Sequence, residues 1–227
     1  MKFFTRFRIL GLLAAGGASL LGAAGAASAM DFEVTVTNLT RGQQFTPILV
    51  AFHKAGVRLF ELGSPASPQL KTLAEEGNVA PMTALLQGNP NVLDVVNSGG
   101  LLNPGQSVTQ RVSTRGSFDN VSVAAMLIPT NDGFFAVNDA EGPNGQQSIT
   151  MFSPAYDAGT ERNDETCASI PGPHFSECGG PGGGGAPGGG EGFVHIHAGI
   201  HGIGNLIPAI RDWRNPVARI TIHRVNR

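Results

Sequence analysis

The order of apolar and polar residues predicts a series of short β-strands from residue 32 onward. In FEVTVTNLT (32–40) apolar and polar residues alternate up to Thr37, which is the period of a strand with one buried face. Residues 45–53 form a more continuous apolar run, as expected of a strand that is covered on both faces. Further strands are predicted at 106–114, 120–130, 133–138, 148–152, 192–200 and 217–225.

Two stretches have helical features instead. Residues 67–77 begin with Ser67 as an N-cap, continue with Pro68 and end at Gly77, and residues 79–89 have the pattern of a second short helix. The strands do not alternate regularly with helices, which argues against a doubly wound sheet. We therefore predict an all-β fold: an antiparallel β-sandwich of about eight strands, with short helices in one connection.

The N-terminal segment has the layout of a signal peptide. Lys2, Arg6 and Arg8 precede an apolar run at 9–24, and small residues lead up to Ala29. The alternative is a retained membrane anchor, but the run is interrupted by Gly and Ser and is shorter than the roughly 20 residues that span a bilayer. We expect cleavage after Ala29.

Removing residues 1–29 leaves one predicted domain, 30–227, without a transmembrane segment. The formal charge of the whole chain is −2 and becomes −5 once the three basic residues of the signal are lost. An acidic domain without a long basic tract lacks the footprint of a nucleic-acid-binding protein. We expect the protein to be secreted, periplasmic or attached to the cell surface.

Cys167 and Cys178 are the two cysteines of the chain. In an exported protein they are expected to form a disulfide, the alternative being two free thiols. The glycine-rich segment that follows, 179–192, is predicted to be a flexible surface loop within the domain, because strands come after it. A phosphate-binding loop would require a G-K-[ST] ending, which this segment lacks.

Carboxylates are concentrated in YDAGTERNDE (156–165). Gly159 disfavours an uninterrupted helix, so Asp157 and Glu161 are expected on a turn with their oxygens directed toward one point. A calcium ion suits such a cluster, because it binds several oxygen ligands in an irregular cage. The segment is not an EF-hand, since counting from Asp157 places Ala168 where the bidentate glutamate should stand.

Two motifs resemble the spondin N-terminal domain of extracellular matrix proteins and bacterial secreted proteins. They are MLIPTNDGFFAVND (126–139) and the acidic segment 156–165. The resemblance implies a C2-like β-sandwich, a calcium ion held by carboxylates from these two turns, and a role in adhesion. The implied calcium ligands are Asp132, Asp157 and Glu161.

The sequence departs from the family pattern at three positions. Gly133 stands where the family often has Trp, Tyr156 replaces another Trp, and Glu161 replaces an Asp. Glutamate is a legitimate calcium ligand, so the last change bears on geometry and affinity more than on binding itself. The alternative interpretation of the acidic segment is a solvated turn without a ligand.

A second cluster, HIHAGIHG (195–202), brings three histidines close together in sequence. On a strand His195 and His197 point to the same face, and His201 could return from the following turn to complete a Zn²⁺ or Cu²⁺ site. The alternative is that these imidazoles bond to the backbone along a strand.

The sequence has no G-x-S-x-G elbow, and any catalytic triad assembled from it would be arbitrary, so we expect a protein that is not an enzyme. The favoured hypothesis is a secreted calcium-binding module that binds or adheres to an extracellular or cell-surface protein, glycan or lipid. Two alternatives stay open. One is a copper- or zinc-binding protein or metalloenzyme that uses the three histidines, and the other is calcium-dependent attachment to a membrane or glycan surface.

Overall fold

Two antiparallel sheets pack face to face in the computed structural model, which describes Met1 and residues 29–143, 148–172, 175–180 and 182–225. Apart from its two end residues, the predicted signal peptide lies outside the described residues. The strands are β1 (Ala29–Asn38), β2 (Gln44–Phe45), β3 (Leu49–His53), β4 (Val92–Asn97), β5 (Ser107–Arg115), β6 (Asn120–Ile128), β7 (Gly133–Glu141), β8 (Ser148–Ser153), β9 (Ala155–Asp157), β10 (His195–Ile196) and β11 (Ala218–Val225). The helices are α1 (Pro68–Glu76), α2 (Ala80–Gln87) and α3 (Pro208–Arg211).

The first sheet has the order β5-β1-β11-β8, and the second has the order β10-β9-β7-β6-β3-β4, with β2 paired to β6. The alternation predicted for β1 is confirmed, since Phe32, Val34 and Val36 are buried against the second sheet. Phe32 stacks on Phe52 of β3 with 5.1 Å between ring centroids. These contacts confirm an all-β sandwich.

The second sheet is buried on both faces because the two predicted helices cover its outer side. Leu70 and Leu73 of α1 are fully buried and pack with Leu49 and Phe134 of the sheet. The Ser67 hydroxyl caps α1 by accepting a hydrogen bond of 3.1 Å from a backbone N–H of its first turn. Each buried leucine side chain contributes roughly 1.5–3 kcal/mol to folding.

Two predicted strands are changed substantially in the structure, and three short elements are additional. The predicted strand 45–53 is two strands, β2 and β3, because Pro47 cannot donate to the ladder. The predicted strand 192–200 is reduced to His195–Ile196, since the chain turns at Gly199, where φ is +99°. The short strands β4 and β9 and the helix α3 were not predicted. None of the helices in the described part of the chain has the length and apolarity needed to cross a bilayer.

Candidate metal centre

Asp132 and Asp157 meet because β7 and β9 pair in the sheet. Asp132 immediately precedes β7, Asp157 ends β9, and Gly133 is the register partner of Asp157. Both aspartates are 0% exposed. Gly133 is required here, because a Cβ at this position would lie 2.7 Å from the Thr130 hydroxyl and 3.0 Å from the His197 ring. The side chain that the family often places at this position therefore has no room.

The Asp132 carboxylate is hydrogen-bonded through one oxygen only. Its Oδ2 accepts from the backbone N–H groups of Thr160 at 2.7 Å and Glu161 at 3.0 Å, and from the Thr160 hydroxyl at 3.2 Å. Its Oδ1 is buried and has no hydrogen-bond partner among the described residues. Burial and then repulsion by Asp157 raise the pKa of Asp132 to about 7.

Asp157 has partners on both of its carboxylate oxygens. Its Oδ1 accepts from the Gly159 backbone N–H at 2.8 Å, and its Oδ2 accepts from the Asn163 amide at 2.6 Å. Two imidazoles also face it, with His195 Nε2 3.5 Å from Oδ1 and His197 Nε2 3.9 Å from Oδ2. Asp157 therefore has fixed hydrogen-bond donors on both oxygens and two histidines beside it.

The third predicted calcium ligand, Glu161, is 4% exposed and has Asn131, the neighbour of Asp132, among its hydrogen-bond partners. Its Oε2 is buried and has no hydrogen-bond partner among the described residues. Burial raises its pKa to about 7; a backbone hydrogen bond from Ala186 opposes this rise, and the nearby charge of Glu75 in α1 adds to it. Asp132, Asp157 and Glu161 are not among the described groups whose ligand atoms all lie within 4.8 Å of one another.

A carboxylate that sequence analysis did not single out, Glu165, organises the neighbouring loop. It is 2% exposed and accepts backbone N–H bonds from His201 and Gly202 at 2.6 Å each and from Ile203 at 3.0 Å. Its own backbone N–H donates to the Asn131 side-chain oxygen at 3.2 Å. The acidic residues therefore connect the turn before β7 to the loop after β10.

The three histidines together are not among the described groups whose ligand atoms all lie within 4.8 Å of one another. His197 is 5% exposed, and its Nδ1 accepts a backbone N–H from Gly199 at 3.0 Å, which places the proton of the neutral ring on Nε2. Burial lowers the pKa of His197. The His201 side chain is 58% exposed and lies 3.7 Å from Glu165. For His197 to ligate a metal through Nε2, the ring proton would have to move to Nδ1 and the hydrogen bond from Gly199 would be lost.

His195 has the opposite arrangement. Its Nδ1 lies 3.0 Å from the Ile196 carbonyl oxygen, which places a proton on Nδ1. Burial lowers the pKa of His195, but the Ile196 carbonyl and the carboxylates of Asp157 and Glu191 together raise it. Asp157, Glu191 and His195 offer ligand atoms that all lie within 4.8 Å of one another. Sequence analysis missed Glu191 because it lies inside the glycine-rich segment.

That segment packs closely against the acidic turn. The Gly192 backbone N–H donates to the Gly159 carbonyl at 2.8 Å, and a Cβ at Gly190 would lie 2.6 Å from the same carbonyl. The predicted disulfide between Cys167 and Cys178 is confirmed. The predicted flexibility of the segment stays a prediction.

The fold and the two turns agree with a known family. The sequence model of the Spondin_N family matches residues 33–169, which is more than half of the chain. The chain belongs to the Spondin_N family. The family is extracellular, so this member is an extracellular β-sandwich module, in agreement with its disulfide. The matched range contains Asp132, Asp157 and Glu161, whereas Glu191 and the histidine cluster lie beyond it. No curated protein matches the chain.

Proposed function

We propose that this protein is an extracellular module that binds calcium at the turns carrying Asp132 and Glu161 and, in that state, binds an extracellular or cell-surface protein. The observation that supports this proposal is a pair of buried carboxylate oxygens without a partner, Asp132 Oδ1 and Glu161 Oε2. An unpaired buried carboxylate is costly, and a hard cation compensates it. Asp157 adds a third carboxylate beside Asp132.

Calcium at these turns would also order a neighbouring surface that suits protein binding. Asn131 lies next to Asp132 and accepts the Glu165 N–H, and Glu165 holds the backbone of the loop after β10. This loop exposes Ile203 (68%) and Ile207 (45%). It borders a cleft of about 400 Å³ lined by residues from 197–201 and 212–215. Exposed apolar side chains beside a cleft are typical of protein-binding surfaces.

A protein partner fits this surface better than an anionic membrane. The chain carries a net negative charge, which opposes approach to anionic lipids, and the exposed residues of the loop are apolar rather than basic. We assign no catalytic step to these residues and propose a binding role.

Thermal unfolding in calcium and in chelator tests the calcium site. Calcium at a hundredfold excess over Kd would add about 2.7 kcal/mol, which corresponds to a rise in Tm of about 5–10 °C for a domain of this size. Asp132→Asn should remove this rise. In chelator the variant should be at least as stable as the wild type, because it removes a buried charge beside Asp157.

Glu76→Gln is the matched control, since this carboxylate is exposed at the end of α1, and it should keep the full calcium effect. A wild-type Tm that is the same in calcium and in chelator would contradict the calcium site.

The binding role is tested with Ile203→Glu, which should keep the calcium effect on Tm and lose calcium-dependent binding to immobilised extracellular proteins. Calcium-dependent binding to phosphatidylserine vesicles or to glycans, without binding to proteins, would show that the partner is a membrane or a glycan and not a protein.

A further inference from the structure

A histidine and two carboxylates near the acidic turn have the geometry of a transition-metal site. We propose that Asp157, Glu191 and His195 bind one divalent transition-metal ion of the zinc class. Only Asp157 is shared with the proposed calcium site, and the transition-metal site does not require calcium to be bound.

The two distances from the His195 ring nitrogen to the carboxylate oxygens fit tetrahedral coordination. His195 Nε2 lies 3.5 Å from Asp157 Oδ1 and 3.4 Å from Glu191 Oε2. Zinc bonds to nitrogen and oxygen of about 2.0–2.2 Å, at tetrahedral angles, separate two ligand atoms by about 3.4 Å. An ion could therefore enter the space between these atoms with little rearrangement of the side chains.

The hydrogen bond of His195 Nδ1 leaves its other ring nitrogen, Nε2, available to bind a metal ion. Because Nδ1 is bonded to the Ile196 carbonyl oxygen, the lone pair of the neutral ring is on Nε2, which faces the two carboxylates. This Nε2 is buried and lies 3.4–3.5 Å from the two carboxylate oxygens without a hydrogen bond of ordinary geometry among the described residues. A metal-ligating imidazole characteristically donates its other N–H to a carbonyl or carboxylate in this way.

The fold also fixes where the ligands lie. Asp157 and His195 are register partners on β9 and β10, and the Gly159 N–H and Asn163 amide hold the Asp157 carboxylate. Glu191 follows Gly190, whose lack of a side chain lets the backbone approach the acidic turn. The three ligands therefore come from paired strands and from a segment packed against them.

The nature of the ligands selects the class of ion. Calcium prefers six to eight oxygen ligands, whereas an imidazole nitrogen with two carboxylates suits zinc and related ions. The Glu191 side chain is 43% exposed and that of His195 is 25% exposed, so water can reach the site and fill a fourth position. Three protein ligands with one open position are typical of zinc sites that retain a water molecule.

Zinc titration of the full-length purified protein tests this site, with chelator-treated protein and competition against a chromophoric zinc chelator. We expect one Zn²⁺ per chain. Glu191→Gln should raise the zinc Kd at least tenfold, and His195→Gln at least a hundredfold. Because the Glu191 side chain is substantially exposed, the first variant should fold normally. Co²⁺ should give the intense visible absorption of a four-coordinate nitrogen and oxygen site, and both variants should lose it.

Two histidine variants serve as controls. His223→Gln removes an exposed imidazole on β11 that bonds to Ser148, and it should leave zinc affinity unchanged. His201→Gln should also leave it unchanged, whereas a loss there would favour a site built from the three histidines and overturn the ligand set proposed here. Absence of stoichiometric zinc binding, or wild-type affinity in both Glu191→Gln and His195→Gln, would refute the proposal. Neither variant alters Asp132 or Glu161, so this result is separate from the calcium test.

Discussion

The ion pair between Glu177 and Arg211 should be a measurable source of stability. Arg211 Nε donates to Glu177 Oε1 at 2.6 Å and Nη2 donates to Oε2 at 2.7 Å, while Nη1 donates to the Gly42 carbonyl at 2.7 Å. The side chains are 2% and 12% exposed, and the guanidinium lies 5.2 Å from the centre of the Phe175 ring. The pair therefore joins the disulfide-bonded loop, which ends at Cys178, to α3 and to the turn before β2.

The pKa of Glu177 gives the magnitude and the pH range. Hydrogen bonds from Arg211 lower this pKa from 4.5 to about 2. Because the folded-state pKa is depressed, the stabilisation is fully present above about pH 4.5 and is lost as the pH falls toward 2. The shift corresponds to about 3 kcal/mol at neutral pH, and solvent screening in a surface loop reduces this to about 2 kcal/mol.

A double-mutant cycle with Glu177→Ala and Arg211→Ala, measured by urea unfolding, isolates this interaction. We expect a coupling of about 2 kcal/mol at pH 7 and less than half of that at pH 3, because at pH 3 Glu177 is protonated in the unfolded state and must lose that proton on folding to form the ion pair. Glu177→Ala alone should cost about 3 kcal/mol because it leaves Arg211 without its partner. The matched control is Glu33 with Arg111, whose side chains are 33% and 73% exposed, and its coupling should be below about 1 kcal/mol. A Glu177–Arg211 coupling as small as the control, or one that does not change at pH 3, would show that this ion pair does not stabilise the fold as expected.

Two further predictions concern the chain termini and the glycine-rich segment. Gly183→Ala should destabilise the protein by about 1–3 kcal/mol in urea unfolding, because the added Cβ would lie 1.6 Å from the Ala168 carbonyl oxygen. Gly184→Ala is the control and should be neutral, because a Cβ at Gly184 would have no atom within 4 Å. Equal stabilities of the two variants would contradict this packing. The intact mass of the exported protein should correspond to residues 30–227, and the mass of the complete chain would contradict signal cleavage after Ala29.

The sandwich could be predicted because the pattern of apolar and polar residues in each longer strand indicates which of its faces are buried. β1 alternates and is buried on one face, whereas β3 is continuously apolar and buried on both. β4 was missed because VLDVVN does not alternate, and the structure shows why: five of its six residues are half-buried at the sheet edge. Short elements such as β9 depend on their partners in the sheet rather than on a pattern of their own.

The site was predictable where the two motifs that resemble the family contain it. Asp132 and Asp157 were expected to converge, and the pairing of β7 with β9 brings them together. The histidine prediction assumed a continuous strand, but the turn at Gly199 uses His197 Nδ1 as an acceptor, and this contact decides which ring nitrogen is available. Local spacing in the sequence does not determine a tautomer.

The glycine-rich segment shows how one composition can serve two physical purposes. Glycine lowers the propensity of a chain to order, which is why the sequence predicts flexibility. Glycine also permits backbones to approach at distances that any side chain would prevent, and a Cβ at Gly182 would lie 1.8 Å from the Ile170 carbonyl oxygen. The entropy lost on ordering such a segment must be offset by other interactions. The disulfide, the Glu177–Arg211 pair and backbone bonds such as that from the Gly183 N–H to the Cys167 carbonyl act on this part of the fold.

A metal ion bound by Glu191 would add a further constraint at the far end of the segment. Zinc should therefore protect the backbone amides of 188–192 from hydrogen exchange, and Glu191→Gln should abolish that protection. If zinc binds and these amides exchange as fast as before, the ion does not order the segment.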